Sequence, residues 1–139
     1  MIVRDIMTAR PRTIRATKQL HVAQSLCEWG DFHHVPVVDD QGALVGLVSL
    51  TDVLRASGSE LDPSTPAAER ERQLAEVPVA EVMREQPVTA APDTPVDEAA
   101  RCMMRARVNC LPVVDGDQLV GIVTSFDMLG LIGRSASTV

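Results

Sequence analysis

Residues 35–54 read VPVVDDQGALVGLVSLTDVL, and residues 111–129 read LPVVDGDQLVGIVTSFDML. Both stretches follow one pattern. A β-branched run opens with a proline at its start, where a missing N–H is tolerated. Asp and Gly then supply turn chemistry. A second apolar run follows, so each stretch predicts a β-hairpin. Ser49 or Thr124 caps a helix that begins directly after it. A pattern met twice in one chain is a duplication, and the rest of the sequence tests that.

Sliding the chain by 76 positions lays Val3, Met7, Pro11, Thr13 and Ala23 on Val79, Met83, Pro87, Thr89 and Ala99. One turn residue fewer near Gly42 keeps the match going at a shift of 75, through Asp52 on Asp127 and Leu54 on Leu129. Fifteen of 48 aligned positions are identical, in order and nearly without gaps. The chain is a tandem duplication of a unit of about 50 residues. A unit that small buries little surface alone, so the copies are expected to pack together.

Each copy predicts the order β-α-β-β-α. Arg12–Arg15 is a short extended piece. Leu20, Ala23, Leu26 and Cys27 recur at helical spacing from Lys18 to Gly30. The second copy repeats this through Thr89, 95–106, 111–114, 118–123 and 124–132. The fold class is therefore α/β (α+β), with small sheets and helices on one side of each. The expected organisation is motif 1 over 1–58, a linker over 59–76, motif 2 over 77–133 and a flexible tail over 134–139. Within the linker, 66–75 reads as a short helix with Thr65 at its N-cap and Pro66 in its first turn.

Composition narrows the function. The chain has 139 residues, 45% of them apolar, which excludes wholesale disorder. No apolar run approaches the roughly 18 residues of a membrane span. The charged N-terminal stretch MIVRDIMTARPR lacks the apolar core of a secretory signal. Three cysteines, an odd number without a C-x-x-C, argue for a reducing, cytoplasmic setting. Thirteen basic and nineteen acidic residues give a net charge of −6, and the only aromatics are Trp29, Phe32 and Phe126. A general nucleic-acid binder would carry a basic face or a stacking platform, so none is expected. Cys27, Cys102 and Cys110 with His33 and His34 show no metal-ligand spacing, so no metal is expected. No nucleophile elbow, paired-carboxylate constellation or Walker-type loop is present, so the chain does not read as an enzyme.

The doubled elements resemble a tandem pair of CBS domains, the family named after cystathionine β-synthase. They are V-x-x-I/V-M, P-x-T, a helix with L/V-x-x-A, V/L-P-V-V-D, L-V-G-h-V-[ST]-x-x-D and a closing leucine. They cover nearly the whole chain apart from linker and tail. The resemblance implies two pseudo-symmetric motifs packed face to face through their sheets. It also implies a regulatory module that needs no cofactor and binds AMP, ADP, ATP or S-adenosylmethionine in the cleft between motifs. It further implies a homodimer, a flat disc of four motifs, acting on a separate effector protein. The alternative is a ligand-free dimerisation or protein-interaction module. A dimer face would use helix residues such as Leu26, Met103, Leu129 and Ile132.

The resemblance also implies the sites. One, site A, would use Ser49, Thr51, Asp52, His33 and His34, with Thr94, Ala99 and Val108 from the second repeat lining the base. An ionised Asp accepts hydrogen bonds from vicinal ribose hydroxyls. A Ser or Thr at a helix start suits phosphate, and the preceding glycine allows close backbone approach. Imidazolium attracts phosphate but is mostly neutral at pH 7, so the grip is expected to strengthen at lower pH. The other, site B, would use Thr124, Asp127, Asn109 and Cys110, with Lys18, Ala23 and Phe32 opposite. Phe126 stands where repeat 1 has Thr51, so site B is expected to be weak or empty, either crowded by aromatics or stacking a base on Phe32. Ser49-x-x-Asp52 and Thr124-x-x-Asp127 equally fit a capping box, and the two roles are compatible.

Overall fold

A computed structural model describes residues 1–30, 33–56, 66, 68, 69, 72 and 75–137. The order is β1 (Thr8–Ala9), β2 (Ile14–Arg15), α1 (Leu20–Gly30), β3 (His34–Val38), β4 (Leu44–Ser49) and α2 (Leu50–Ala56). The second copy adds β5 (Arg84–Glu85), α3 (Val96–Ala106), β6 (Cys110–Asp115), β7 (Gln118–Thr124) and α4 (Ser125–Ser137). The expected β-α-β-β-α order is present in the first copy. In the second copy the opening strand shrinks to a single bridge between Ala90 and Val113. Single 3₁₀ turns at Val3–Asp5 and Val79–Glu81 open the copies. The fold is mixed α+β, with two sheets and four helices among the described residues.

The chain divides into two compact units, and their borders are not those of the repeats. One unit is continuous, Arg12–Gln86; the other joins Met1–Pro11 to Pro87–Val139. The short leader at the start of each repeat therefore belongs with the other repeat's sheet. In the continuous unit the strands run β2-β3-β4-β5, and β5, from the second repeat's leader, pairs antiparallel with β4. Val79 N–H donates to the Lys18 carbonyl at 2.8 Å, and Leu20 N–H to the Val77 carbonyl at 2.8 Å. The other unit repeats the arrangement with strands β1-β7-β6, where β1 comes from the N-terminal leader. There Val3 N–H donates to the Thr94 carbonyl at 2.8 Å, and Val96 N–H to the Met1 carbonyl at 3.1 Å.

Alternation along the strands builds each core. Val35, Val37 and Val48 are fully buried with Ile14, Leu20, Ala23, Cys27, Val53 and Val79. Leu111, Val113 and Val123 do the same with Val3, Ala90, Ala99 and Met103. Burying one such side chain contributes about 1.5–3 kcal/mol, so the hairpins carry much of each core. The turn of the first hairpin is held by Asp39, whose Oδ1 accepts from the Gln41 and Ala43 N–H groups at 2.9 and 3.0 Å. Gly42 and Gly116 occupy the left-handed region that these turns require.

Two expectations change. The chain after Gly133 was expected to be loose, but α4 continues to Ser137, with Arg134 Nε bonded to the Gly130 carbonyl at 3.2 Å. Met103 was expected on a dimer face, but it is 5% exposed inside the core, while its neighbour Met104 is 76% exposed. Of the expected linker helix, Ala68, Glu69, Arg72 and Ala75 are helical; Thr65 and the remaining positions apart from Pro66 lie outside the described residues.

Candidate functional site

Each hairpin hands its last strand residue to the first turn of a helix. Ser49 N–H donates to Asp52 Oδ2 at 3.1 Å, and Asp52 N–H donates to Ser49 Oγ at 3.1 Å. Thr124 N–H and Oγ1–H both donate to Asp127 Oδ2, at 2.9 and 3.1 Å, and Asp127 N–H donates to Thr124 Oγ1 at 3.3 Å. These are reciprocal capping boxes, so the capping role of both aspartates is real. In each case only Oδ2 is engaged; Oδ1 accepts no hydrogen bond among the described residues. A carboxylate fixed by one oxygen presents the other in a set direction.

The residues expected in site A fall in both units. Ser49, Thr51, Asp52, His33 and His34 belong to Arg12–Gln86, and Thr94, Ala99 and Val108 to the other unit. In the first group, Leu50 N–H donates to the His33 carbonyl at 2.9 Å, tying that loop to the start of α2. His34 is directly opposite Ser49 in the β3–β4 register, so the two side chains share a face. Thr51 and His33 are exposed, while Ser49, Asp52 and His34 are half-buried. Burial pushes the His34 pKa below its ordinary 6.5; His33 and Arg84 push the same way, and Asp52 opposes them. In the second group, Thr94 Oγ1 accepts from Ala91 N–H at 3.0 Å. Val108 is half-buried, and Ala99 is 1% exposed within the core.

Site B divides the same way. Thr124, Asp127, Asn109 and Cys110 share one unit; Lys18 and Ala23 lie in the other, and Phe32 lies outside the described residues. The Asn109 carbonyl accepts from Ser125 N–H at 2.9 Å. Burial, with Asp127 nearby, pushes the Cys110 thiol up to about 12, so it stays protonated. Phe126 is 81% exposed. Gly46 and Gly121 differ from expectation. A Cβ at Gly46 would lie 2.6 Å from Met83 Sδ, and one at Gly121 2.5 Å from Met7 Sδ. The glycines make room for the leader methionines of the opposite repeat.

Arg84 escaped the sequence reading. It sits on β5 opposite Leu47, two residues along β4 from Ser49. The alignment of the repeats places it on Thr8, and that change from neutral to cationic was the available signal. No group of three or more His, Cys, Asp and Glu among the described residues is placed to hold a metal ion. No helix among them is long and apolar enough to cross a membrane.

The CBS-domain pattern matches residues 3–59 and 79–134. A CBS domain-containing protein of Dictyostelium discoideum is 33% identical over 133 residues, covering 95% of this chain and 91% of that protein. Among solved structures, the CBS domain pair of protein MJ0100, in complex with 5′-methylthioadenosine and S-adenosyl-L-methionine, is 28% identical. Its TM-score is 0.80, and the match covers 97% of this chain and 98% of that one. CBSX2 in complex with AMP is 26% identical with a TM-score of 0.80, over 97% of this chain and 98% of that one. Larger relatives named as enzymes also match, but the chain spans only 24% of their length. With its doubled pattern and these whole-length matches, the chain belongs to the CBS-domain family.

Proposed function

We propose that the protein is a cytoplasmic regulatory module that binds an adenosine compound (AMP, ADP, ATP or S-adenosylmethionine) and acts on a separate effector protein. Asp52 carries this reading: its capping box leaves Oδ1 unengaged among the described residues, ready to accept from ribose hydroxyls. Ser49, Thr51, His33 and His34 complete that half of site A, with Thr94, Ala99 and Val108 contributed by the other unit. Site B, around Thr124 and Asp127 with Lys18 and Phe32, is the weaker one. AMP and S-adenosyl-L-methionine in the two related structures support the ligand class. The module catalyses no reaction, holds no metal and contacts neither nucleic acid nor membrane.

A second copy of the chain is the proposed structural partner. Phe126, Leu129 and Ile132 of α4 are 81%, 62% and 67% exposed, a stripe of apolar surface that favours association. This stripe equally supports the alternative, a dimerisation or interaction module without ligand.

A thermal-shift panel separates the two. AMP, ADP, ATP, S-adenosylmethionine and GTP are each added at about 1 mM to wild type, Asp52→Ala and Asp127→Ala. A ligand at 100 times its dissociation constant adds about 2.7 kcal/mol of stability. An adenosine-selective rise in Tm is expected in wild type, abolished by Asp52→Ala through a loss of at least about 2 kcal/mol in binding. Asp127→Ala should matter less. No rise with any nucleotide overturns the ligand reading in favour of the interaction module, and equal losses in both variants overturn the site assignment.

A further inference from the structure

The two units are copies of one design, so a difference between matched positions isolates what one copy has acquired. On the first sheet, Arg84, Leu47 and Pro36 are in register across β5, β4 and β3, and Ser49 and His34 are the next pair along. Directly paired residues, and residues two apart, lie on one face of a sheet. Arg84, Ser49 and His34 therefore share a face. It is the face opposite Val35, Val37 and Val48, which pack into the helical core. On the second sheet the same places are taken by Thr8, Thr124 and Cys110. One face carries a guanidinium and an imidazole, and its copy carries a hydroxyl and a buried thiol.

Arg84 is exposed, and its side chain makes no hydrogen bond or ion pair among the described residues. Asp52 and Arg84 both act electrostatically on His34, which places acceptor and cation around one side chain. An acceptor for hydroxyls beside an uncommitted guanidinium suits a ligand with hydroxyls at one end and an anion at the other. A guanidinium binds phosphoryl oxygens in bidentate fashion and repels a sulfonium cation.

We propose that Arg84 is a specificity-determining residue that makes the Asp52 site select phosphorylated adenosine ligands over adenosine and S-adenosylmethionine. This rests on the adenosine-binding reading above. The Asp127 site, where Thr8 stands in place of Arg84, lacks the selectivity.

Calorimetry at fixed low salt tests it, with ATP, AMP, adenosine, S-adenosylmethionine and inorganic triphosphate as probes. The proteins are wild type, Arg84→Thr and Arg84→Lys. Threonine is the residue the fold already accepts at the matching position. Wild type should bind ATP and AMP about tenfold or more tightly than adenosine, the usual size of a charge-assisted contact. Arg84→Thr should erase that preference and leave adenosine unchanged, and Arg84→Lys should keep part of it. Equal wild-type affinity for AMP and adenosine overturns the proposal and leaves the adenosine reading standing. So does a loss in Arg84→Thr that falls equally on adenosine. Binding of triphosphate alone, dependent on Arg84, overturns the adenosine reading and retains the anion-selective residue. Silence from all five probes overturns both.

Discussion

His34 is held on a strand with its ring half-buried, between a carboxylate that favours its charge and an arginine that opposes it. Burial is the largest influence, so its pKa in the folded chain lies below the ordinary 6.5. Below pH 6.5 the unfolded chain then binds more protons than the folded one, and stability falls as pH falls. The His34 contribution is complete above about pH 6.5 and is lost on descent towards the folded-state value. Urea unfolding at pH 7.5 and 5.5 should show wild type losing stability that His34→Gln retains. Identical slopes would refute the burial of a neutral imidazole. The same residue shows where sequence reasoning stops. The His33-His34 pair was legible as candidate phosphate contacts, but the strand places His33 in solvent and half-buries its neighbour. Arg84 was illegible for a related reason. Its importance comes from a register with β4, some 37 residues earlier, that no local pattern encodes.

Hairpins and helices were legible because hydrophobic periodicity and turn residues are local signals. The capping boxes were legible too, down to the aspartates. The strands β1 and β5 were not, since two residues carry no period and their partners lie in the other repeat. That pairing gives Gly46 and Gly121 their purpose. Added Cβ atoms would meet not only a methionine sulfur but the Arg84 or Thr8 carbonyl at 3.0 Å, and backbone cannot swing aside. Gly46→Ala and Gly121→Ala should each cost about 1–3 kcal/mol, the usual penalty of overpacking. Denaturant unfolding reads it. A double-mutant cycle with Met83→Ala should recover part of the Gly46→Ala loss, leaving the share owed to the carbonyl. Full recovery would mean that the strand itself tolerates the methyl group.

At the scale of the molecule, the exposed residues of α4 deserve a partner. From Phe126 to Ile132 its only charge is Asp127, which is turned into its capping box. Gly130 and Gly133 leave open space beside Leu129 and Ile132, where another helix could approach closely. Sedimentation should show a dimer at micromolar concentration, and Leu129→Asp with Ile132→Asp should yield a folded monomer. A wild-type monomer would contradict the proposed self-association. The exchanged leaders bear on a different moment in the protein's life. During synthesis, Arg12–Gln86 holds every strand of its own sheet as soon as Gln86 has emerged. Met1–Pro11 has no such fortune, because the rest of its sheet and core is encoded beyond Gln86. At about 5–20 residues per second, the nascent chain waits several seconds for them. Through that interval Val3, Ile6 and Met7 have no core to enter, and a segment made before Arg12–Gln86 finds its place after it.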